Sequence, residues 1–284
     1  MELKNNRLGI YEKAIPNHFS WHDKFKVTKK AGFDFLEISI DESDERLKRL
    51  DMSKKEADEI LFYQKHFDLP ISSMCLSGHR RFPFGSQDSS IREKAYDIMQ
   101  KAFLLAEKLN IRNIQLAGYD VYYEKSNEQT KKMFYEGLKW ASKMAEHYNI
   151  MLSIEVMDTP FMGTIERIID FKKTINSPYL KVYPDVGNIT QFSLDPYQEF
   201  IDFKEEIIAI HLKDTLADKF KCVEFGQGNV DFNTMFKTLK SIDYKGPFLI
   251  EMWADNNIKE SIETCTLRLI KAKNWLEERM AYKC

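Results

Sequence analysis

Four side chains able to bind a metal ion or move a proton recur at regular intervals in the second half of the chain. They are Glu155, Asp185, His211 and Glu251, and each lies near the end of a short apolar run. Successive members are 30, 26 and 40 residues apart. Each interval is about the length of one strand-plus-helix repeat of a parallel sheet, so the four side chains are predicted to lie on four consecutive strands.

Alternation along each strand indicates where these side chains point. Neighbouring side chains of a strand face opposite sides, so Glu155 shares a face with Ser153, and Glu251 shares one with Leu249. The apolar residues between them would face the helices. The sequence therefore predicts three carboxylates and one imidazole at the carboxyl end of a single sheet.

Buried carboxylates at this density repel one another, and a divalent cation would relieve the repulsion. Three oxygen ligands and one imidazole suit Mn²⁺, Zn²⁺, Co²⁺ or Mg²⁺ and do not distinguish among them. Taken singly, a strand-end acid is more often a loop cap, and a lone histidine is more often a core residue. The four together predict a metal site.

Glu155 and Glu251 belong to the outer strands of this group of four. A substrate bound at the metal would have one carboxylate on each side, which suits removal of a proton from one face of a carbon and its return to the other. The metal would polarise the adjacent carbonyl and hold the enediolate. The two glutamates are thus predicted to be both metal ligands and the catalytic acid–base pair.

Eight short apolar runs are predicted to be the strands that carry these residues. They are residues 8–11, 33–40, 71–76, 111–117, 150–157, 180–185, 207–212 and 247–253. Amphipathic stretches between them are predicted to be helices. These are residues 23–31, 54–67, 90–109, 127–148, 165–175, 196–206, 233–241 and 258–280.

This alternation predicts a (β/α)8 TIM barrel that forms one domain over residues 1–284. An open doubly wound sheet is the alternative. A glycine-rich dinucleotide fingerprint after the first strand is typical of such sheets, and this chain has none.

Composition excludes several classes of protein. The chain of 284 residues has 42 Lys and Arg against 44 Asp and Glu, for a net charge of −2, which does not suggest a nucleic-acid partner. No apolar run is long enough to span a membrane or to resemble a secretory signal. The cysteines Cys75, Cys222, Cys265 and Cys284 lack metal-type spacing. We therefore expect a cytoplasmic protein with reduced thiols.

The chain resembles the L-ribulose/L-xylulose 5-phosphate 3-epimerases, within the xylose-isomerase-like barrels, nearly from end to end. The matching segments read GIYEKAIP at 9–16, CLSGHRRFPFG at 75–85, EVMDTP at 155–160, DVGN at 185–188, HLKDT at 211–215, FGQGNVDF at 225–232 and GPFLIEMW at 246–253. The resemblance implies a divalent metal bound by Glu155, Asp185, His211 and Glu251, with the two glutamates as acid and base.

Two positions depart from the pattern of the epimerases that act on free sugars. Those enzymes usually have a histidine three residues after the metal aspartate, where this chain has Asn188, and an arginine shortly after the metal histidine, where it has Lys213. Contacts with the terminal oxygens of the substrate are therefore expected to be rearranged around Asn188 and Lys213.

A phosphorylated sugar also needs donors for its dianion. Guanidinium groups match phosphate oxygens, and backbone N–H groups of a glycine-rich turn before a helix can do the same. The candidate phosphate contacts are Ser77, His79, Arg80, Arg81, Gly226 and Gly228. The alternatives are ordinary ion pairs for the arginines and turn formation for the glycines.

The predicted function is metal-dependent epimerisation at C3 of a phosphorylated ketopentose, L-xylulose 5-phosphate to L-ribulose 5-phosphate, by an enzyme that could form a homodimer. The alternative is an aldose–ketose isomerase acting on a phosphorylated sugar such as a hexulose 6-phosphate. A metallo-endonuclease of this barrel class would need more strand-end histidines and a basic face. A sugar-phosphate sensor would have no need of two opposed carboxylates.

Overall fold

The computed structural model describes residues 3–281, so Cys284 lies outside the described residues. Its strands are β1 Leu8–Tyr11, β2 Phe35–Ile40, β3 Ile71–Leu76, β4 Asn113–Ala117, β5 Met151–Glu155, β6 Leu180–Tyr183, β7 Ile210–Leu212, β8 Asp214–Leu216, β9 Lys219–Val223 and β10 Phe248–Ile250. Its α-helices are α1 Trp21–Lys30, α2 Asp44–Leu47, α3 Lys54–His66, α4 Ser89–Leu109, α5 Glu128–Tyr148, α6 Ile165–Ile175, α7 Val186–Phe192, α8 Pro196–Asp202, α9 Phe232–Ser241 and α10 Ile262–Met280.

Eight of the strands form one parallel sheet in the order β6-β5-β4-β3-β2-β1-β10-β7. Two parallel bridges, Val182 with Ile207 and Asp185 with His211, join its two outer strands, β6 and β7. The sheet is thereby closed into a barrel with the helices around it. The predicted single-domain (β/α)8 barrel is confirmed, and the open doubly wound sheet is excluded.

The two faces of the strands pack into separate apolar clusters. The large cluster lies between strands and helices and contains Leu152, Ile154 and Ile250 among many others. The small cluster, Tyr11, Phe35, Cys75 and Leu249, fills the barrel interior together with Trp253. The interior is thus a packed core, as is usual in this fold.

The observed elements differ from the predicted ones mainly at their ends. Asp185 was predicted to end a strand, but β6 stops at Tyr183 and Asp185 caps the helix α7 that follows at once. The antiparallel pair β8 and β9 and the helices α2 and α7 were not predicted. All of these are short segments whose apolar pattern is too brief to indicate an element.

Asparagine ends three successive helices. Asn110, Asn149 and Asn176 follow α4, α5 and α6 in the left-handed conformation, with φ of 59°, 54° and 52°. Asparagine tolerates this conformation better than most residues, and it turns the chain sharply into the next strand or loop.

No described helix has the length and apolarity needed to cross a membrane. The structure is of a single chain, so the expected homodimer stays a prediction.

A fully buried carboxylate fixes the corner after β1. Glu12 contacts three cations: Lys24 at 2.5 Å, Arg46 at 2.5 Å and Arg49 at 2.7 Å. It also accepts the backbone N–H of Ser39 at 3.0 Å. Burial by itself would raise the pKa of Glu12, but the ammonium of Lys24 and the two guanidinium groups hold it well below its usual value. The cluster ties α1 and the segment after β2 to the rim of the barrel.

We expect Glu12→Gln to lower the free energy of unfolding by about 3–5 kcal/mol, because it leaves three cations without their shared anion. Urea denaturation at pH 7 measures this loss. Because the folded-state pKa is lowered, the contribution of Glu12 is complete above the ordinary glutamate pKa of about 4 and declines as the pH falls below it. Glu93→Gln, on the exposed face of α4, is the control and should change stability little. Equal stabilities of the two variants would contradict this assignment.

Candidate metal centre and active site

The four predicted ligands meet at the carboxyl end of the barrel. Glu155 is the last residue of β5, Asp185 follows β6, His211 lies in β7 and Glu251 follows β10. One ligand atom from each lies within 4.8 Å of the ligand atoms of the others. All four side chains are nearly or fully buried. The structure thus brings together residues that are up to 96 positions apart in the sequence.

The two carboxylate oxygens of Asp185 have different roles. Oδ1 accepts the backbone N–H of Asn188 at 2.7 Å and so caps α7. Oδ2 is left for the centre of the site, 3.9 Å from Nδ1 of His211. Asn188 itself is buried, and its side-chain amide donates to the carbonyl of Val156. The cap therefore fixes the orientation of the Asp185 carboxylate.

Glu155 is held from two sides. Its Oε1 lies 2.8 Å from Nδ1 of His211, and its Oε2 accepts a hydrogen bond from the side chain of Gln115 on β4. Gln115 was not among the residues predicted from the sequence, although an amide at an inward-facing position of an apolar strand is a usable signal. The hydrogen bond from Gln115 therefore restricts the orientation of the Glu155 carboxylate.

Glu37 on β2 is a second residue that sequence analysis missed. It is fully buried inside the barrel, and its Oε1 lies 3.1 Å from Nε2 of His211. Ser73 and Tyr183 donate to its Oε2 at 2.5 Å and 3.3 Å. A lone glutamate in the apolar strand FLEISI was the available signal. His211 therefore lies between two carboxylates, Glu37 and Glu155.

A buried ammonium group lies among the acids. Nζ of Lys213 is 3.0 Å from Oδ2 of Asp185 and 3.1 Å from Oε2 of Glu251. Burial would raise the pKa of Glu251, but Lys213 and His211 lower it to about 2. For Asp185 burial outweighs the attraction of Lys213 and raises the pKa to about 8. The carboxylates of Glu155 and Glu37 raise the pKa of His211 well above its usual value against the effect of burial.

These residues fit a divalent metal ion. Oδ2 of Asp185 and Oε2 of Glu251 are buried without a partner in hydrogen-bond geometry, although both are near Lys213. Buried carboxylate oxygens are costly unless they are both paired and hydrogen-bonded, and the single ammonium of Lys213 leaves these two without hydrogen bonds. Three carboxylates and one imidazole are also a donor set that Mn²⁺, Zn²⁺, Co²⁺ and Mg²⁺ accept to differing degrees. The donor atoms leave the identity of the metal open.

The two predicted arginines differ in their surroundings. The guanidinium of Arg80 lies over the rings of Tyr122 and Tyr119, at 4.8 Å and 5.6 Å, and its Nε has no hydrogen-bond partner. Arg81 is instead on the surface, where it pairs with Asp44 at 2.8 Å. The ordinary ion pair considered for Arg81 is therefore present. Of the two arginines, Arg80 is therefore the better candidate for a phosphate contact.

His79 and Ser77, beside these arginines, are both buried. Nε2 of His79 lies 3.0 Å from the carbonyl of Ala95 on α4, and the ring packs against Phe84. Burial lowers the pKa of His79 to about 4, so the ring is neutral at pH 7. His79 therefore joins the loop after β3 to α4 and brings no positive charge to a phosphate.

Gly226 and Gly228 do not have the phosphate-binding arrangement that the sequence predicted. Their backbone N–H groups both donate to Oδ2 of Asp214, at 2.8 Å and 2.9 Å. A Cβ atom at Gly228 would lie 2.1 Å from Oδ1 of Asp214, so the close approach itself requires glycine there. The structure does not offer these N–H groups to a phosphate, because the carboxylate of Asp214 already occupies the turn. Their structural role is to hold that turn.

A cavity of about 500 Å³ adjoins the cluster. Lys213, Glu251 and Trp253 line it, together with Trp275 of α10. The ring of Trp253 also lies beneath the ammonium groups of Lys213 and Lys221, each at 5.9 Å. A small polar molecule could therefore reach Glu251 and Lys213 from this side.

We expect binding of Mn²⁺ at pH 7 to release at least one proton. The raised pKa of Asp185, about 8, keeps this carboxyl protonated at pH 7, and its Oδ2, which faces the site, must lose the proton before it can bind a metal. Calorimetric titration in two buffers of different ionisation enthalpy measures the protons released. Apparent affinity should rise with pH, by up to about tenfold per unit for each proton released. The contribution of Asp185 to this slope should end above pH 8. Binding without proton release at pH 7 would contradict this picture.

Comparison with known proteins agrees with the fold. The model of the xylose isomerase-like TIM barrel family matches residues 25–277. SgbU of Escherichia coli (strain K12) is 46% identical over 284 residues, covering 98% of both chains. The L-ribulose-5-phosphate 3-epimerase UlaE of Shigella sonnei is 42% identical over 281 residues, which cover 99% of this chain and 97% of UlaE.

Solved structures show the same architecture at much lower sequence identity. D-psicose 3-epimerase of Clostridium cellulolyticum H10, solved with D-tagatose, superposes with a TM-score of 0.77 at 16% identity, over 97% of this chain and 100% of that one. The expectations of an isomerase and of a resemblance to the L-ribulose-5-phosphate 3-epimerases are confirmed by these relatives. The chain belongs to the xylose isomerase-like TIM barrel family, and its relatives in that family include proteins named L-ribulose-5-phosphate 3-epimerase.

Proposed function

We propose that this protein interconverts L-xylulose 5-phosphate and L-ribulose 5-phosphate by metal-dependent epimerisation at C3. The observation that carries the proposal is the placement of Glu155 and Glu251 at the two ends of the buried four-residue cluster, with Asp185 and His211 between them. The full-length relationship to a protein named L-ribulose-5-phosphate 3-epimerase supports the choice of substrate. Metal binding by Glu155, Asp185, His211 and Glu251 is part of the proposal.

Epimerisation requires a base on one face of C3 and an acid on the other. One glutamate, as the carboxylate, takes the proton from C3, and the electron pair of the broken C–H bond forms the C2–C3 enediolate. The other glutamate, as the carboxylic acid, returns a proton to the opposite face, and the C2 carbonyl re-forms. The reverse reaction exchanges the two roles. The assignment of these two roles to Glu155 and Glu251 is supported by their approach to the centre from different strands.

A bound divalent ion would supply the positive charge that polarises the C2 carbonyl and offsets the negative charge developing on it. The protein's own residues supply the rest. Gln115 holds Glu155 through Oε2. Lys213 favours the ionised form of Glu251, which suits Glu251 to take the proton, and Lys213 lies near enough to contact a substrate oxygen. Trp253 packs against the ammonium of Lys213 and lines the adjoining cavity.

The contacts with the rest of the substrate are also proposals. Arg80, whose Nε has no partner, remains the candidate for the phosphate, with Ser77 beside it. Asn188 and Lys213 remain candidates for the sugar oxygens.

We expect the Mn²⁺-loaded protein, incubated with L-xylulose 5-phosphate in D2O, to place deuterium at C3 and to form L-ribulose 5-phosphate. NMR of the sugar follows both events. Deuterium at C1 or C2 with an aldose product would instead establish the aldose–ketose isomerase. Absence of exchange at any carbon would contradict the proposed substrate.

We expect Glu155→Gln and Glu251→Gln each to lower kcat by about 10²–10⁴-fold, since each removes one member of the acid–base pair. The assay uses Mn²⁺ at a concentration shown by titration to saturate each variant, because both residues are also proposed ligands. Glu263→Gln, on the exposed surface of α10, is the control and should keep wild-type activity. Full activity in either active-site variant would remove that residue from the mechanism.

A further inference from the structure

Glu37 lies on the far side of His211 from the proposed ligands. Its Oε1 is 3.1 Å from Nε2 of His211, and neither side chain is exposed to solvent. Glu37 lies in β2, which is not one of the strands that supply the four ligands. It is therefore outside the proposed metal centre but in direct contact with one of its members.

The hydrogen bonds around Glu37 show which groups donate. Ser73 and Tyr183 donate their hydroxyl protons to Oε2. Both hydroxyl donors bind Oε2, which leaves Oε1 to accept the proton of Nε2 of His211. The neutral imidazole has a single proton, so a proton fixed at Nε2 leaves a lone pair at Nδ1.

Nδ1 is the nitrogen that faces the proposed centre. It lies 2.8 Å from Oε1 of Glu155 and 3.9 Å from Oδ2 of Asp185. A lone pair at this position repels carboxylate oxygens, so the neutral ring is stable there only with a cation between them. Glu37 thereby prepares His211 to bind a cation on its other side, as carboxylates behind ligating histidines do.

We propose that Glu37 is a positioning residue. It fixes the proton of His211 on Nε2 and fixes the orientation of the imidazole ring, and so directs Nδ1 of His211 to the divalent metal. The inference rests on the proposed function, because it presupposes a metal bound by His211. Ser73 and Tyr183 act one step further out by orienting the Glu37 carboxylate. Tyr183 also packs against the imidazole, with ring centroids 4.3 Å apart, which limits rotation of the ring.

The direct test is the affinity for Mn²⁺, measured by competition with a fluorescent chelator at pH 7.5. We expect Glu37→Gln to weaken binding by about 10–100-fold, the usual cost of losing a carboxylate behind a ligating histidine. Activity should largely return at saturating Mn²⁺, because Glu37 does not contact the reacting atoms. Unchanged affinity in Glu37→Gln would overturn the proposal.

Two further variants separate positioning from general destabilisation. Glu37→Asp keeps the charge but draws the carboxylate back from Nε2, and it should also weaken binding. Wild-type affinity in this variant would contradict a positional role. Glu12→Gln removes another fully buried glutamate, and it should lower stability without changing the affinity for Mn²⁺.

The wild-type protein gives an independent readout that needs no variant at the site. In the Zn²⁺-loaded protein labelled with ¹⁵N-histidine, His211 should show a proton on Nε2 and a metal-shifted Nδ1. A proton on Nδ1 would overturn the proposal. If wild-type protein binds neither Mn²⁺ nor Zn²⁺, the proposed function itself fails. If it binds them and Glu37→Gln binds equally well, only this inference fails.

Discussion

The chemistry of this protein depends on an excess of buried negative charge at one end of the barrel. Four carboxylates, those of Glu37, Glu155, Asp185 and Glu251, surround His211, and Lys213 is the only ammonium that forms an ion pair with them among the described residues. Burial makes this imbalance expensive. The site can lower the cost by holding protons, as the raised pKa values of Asp185 and His211 indicate, or by binding a cation.

A second buried cluster in the same barrel shows the opposite balance. Glu12 is a single carboxylate with Lys24, Arg46 and Arg49 around it. Its charge is compensated within the protein, so nothing further is required of a ligand. The contrast separates a cluster that stabilises the fold from one that is suited to bind a ligand, although both are largely buried and lie near the same rim.

The barrel imposes this arrangement on the acidic residues. Parallel strands direct their carboxyl ends to one rim, and alternation places every second side chain inside. The barrel interior next to these polar side chains is apolar and includes Phe35 and Leu249, so it does not solvate them. Fixed neighbours restrict their motion instead: α7 orients Asp185, Gln115 holds Glu155, and Glu37 holds His211.

The sequence by itself determined the barrel, its eight strands and the residues at the four strand ends, because periodicity and one repeat length are local properties of the chain. It did not reveal that Asp214 occupies the turn at Gly226 and Gly228, or that Glu37 stands behind His211. Glu37 and His211 are 174 residues apart, and only closure of the barrel brings them into contact. Tertiary structure decided these points because a hydrogen-bond partner depends on distance in space, which alternation along one strand does not specify.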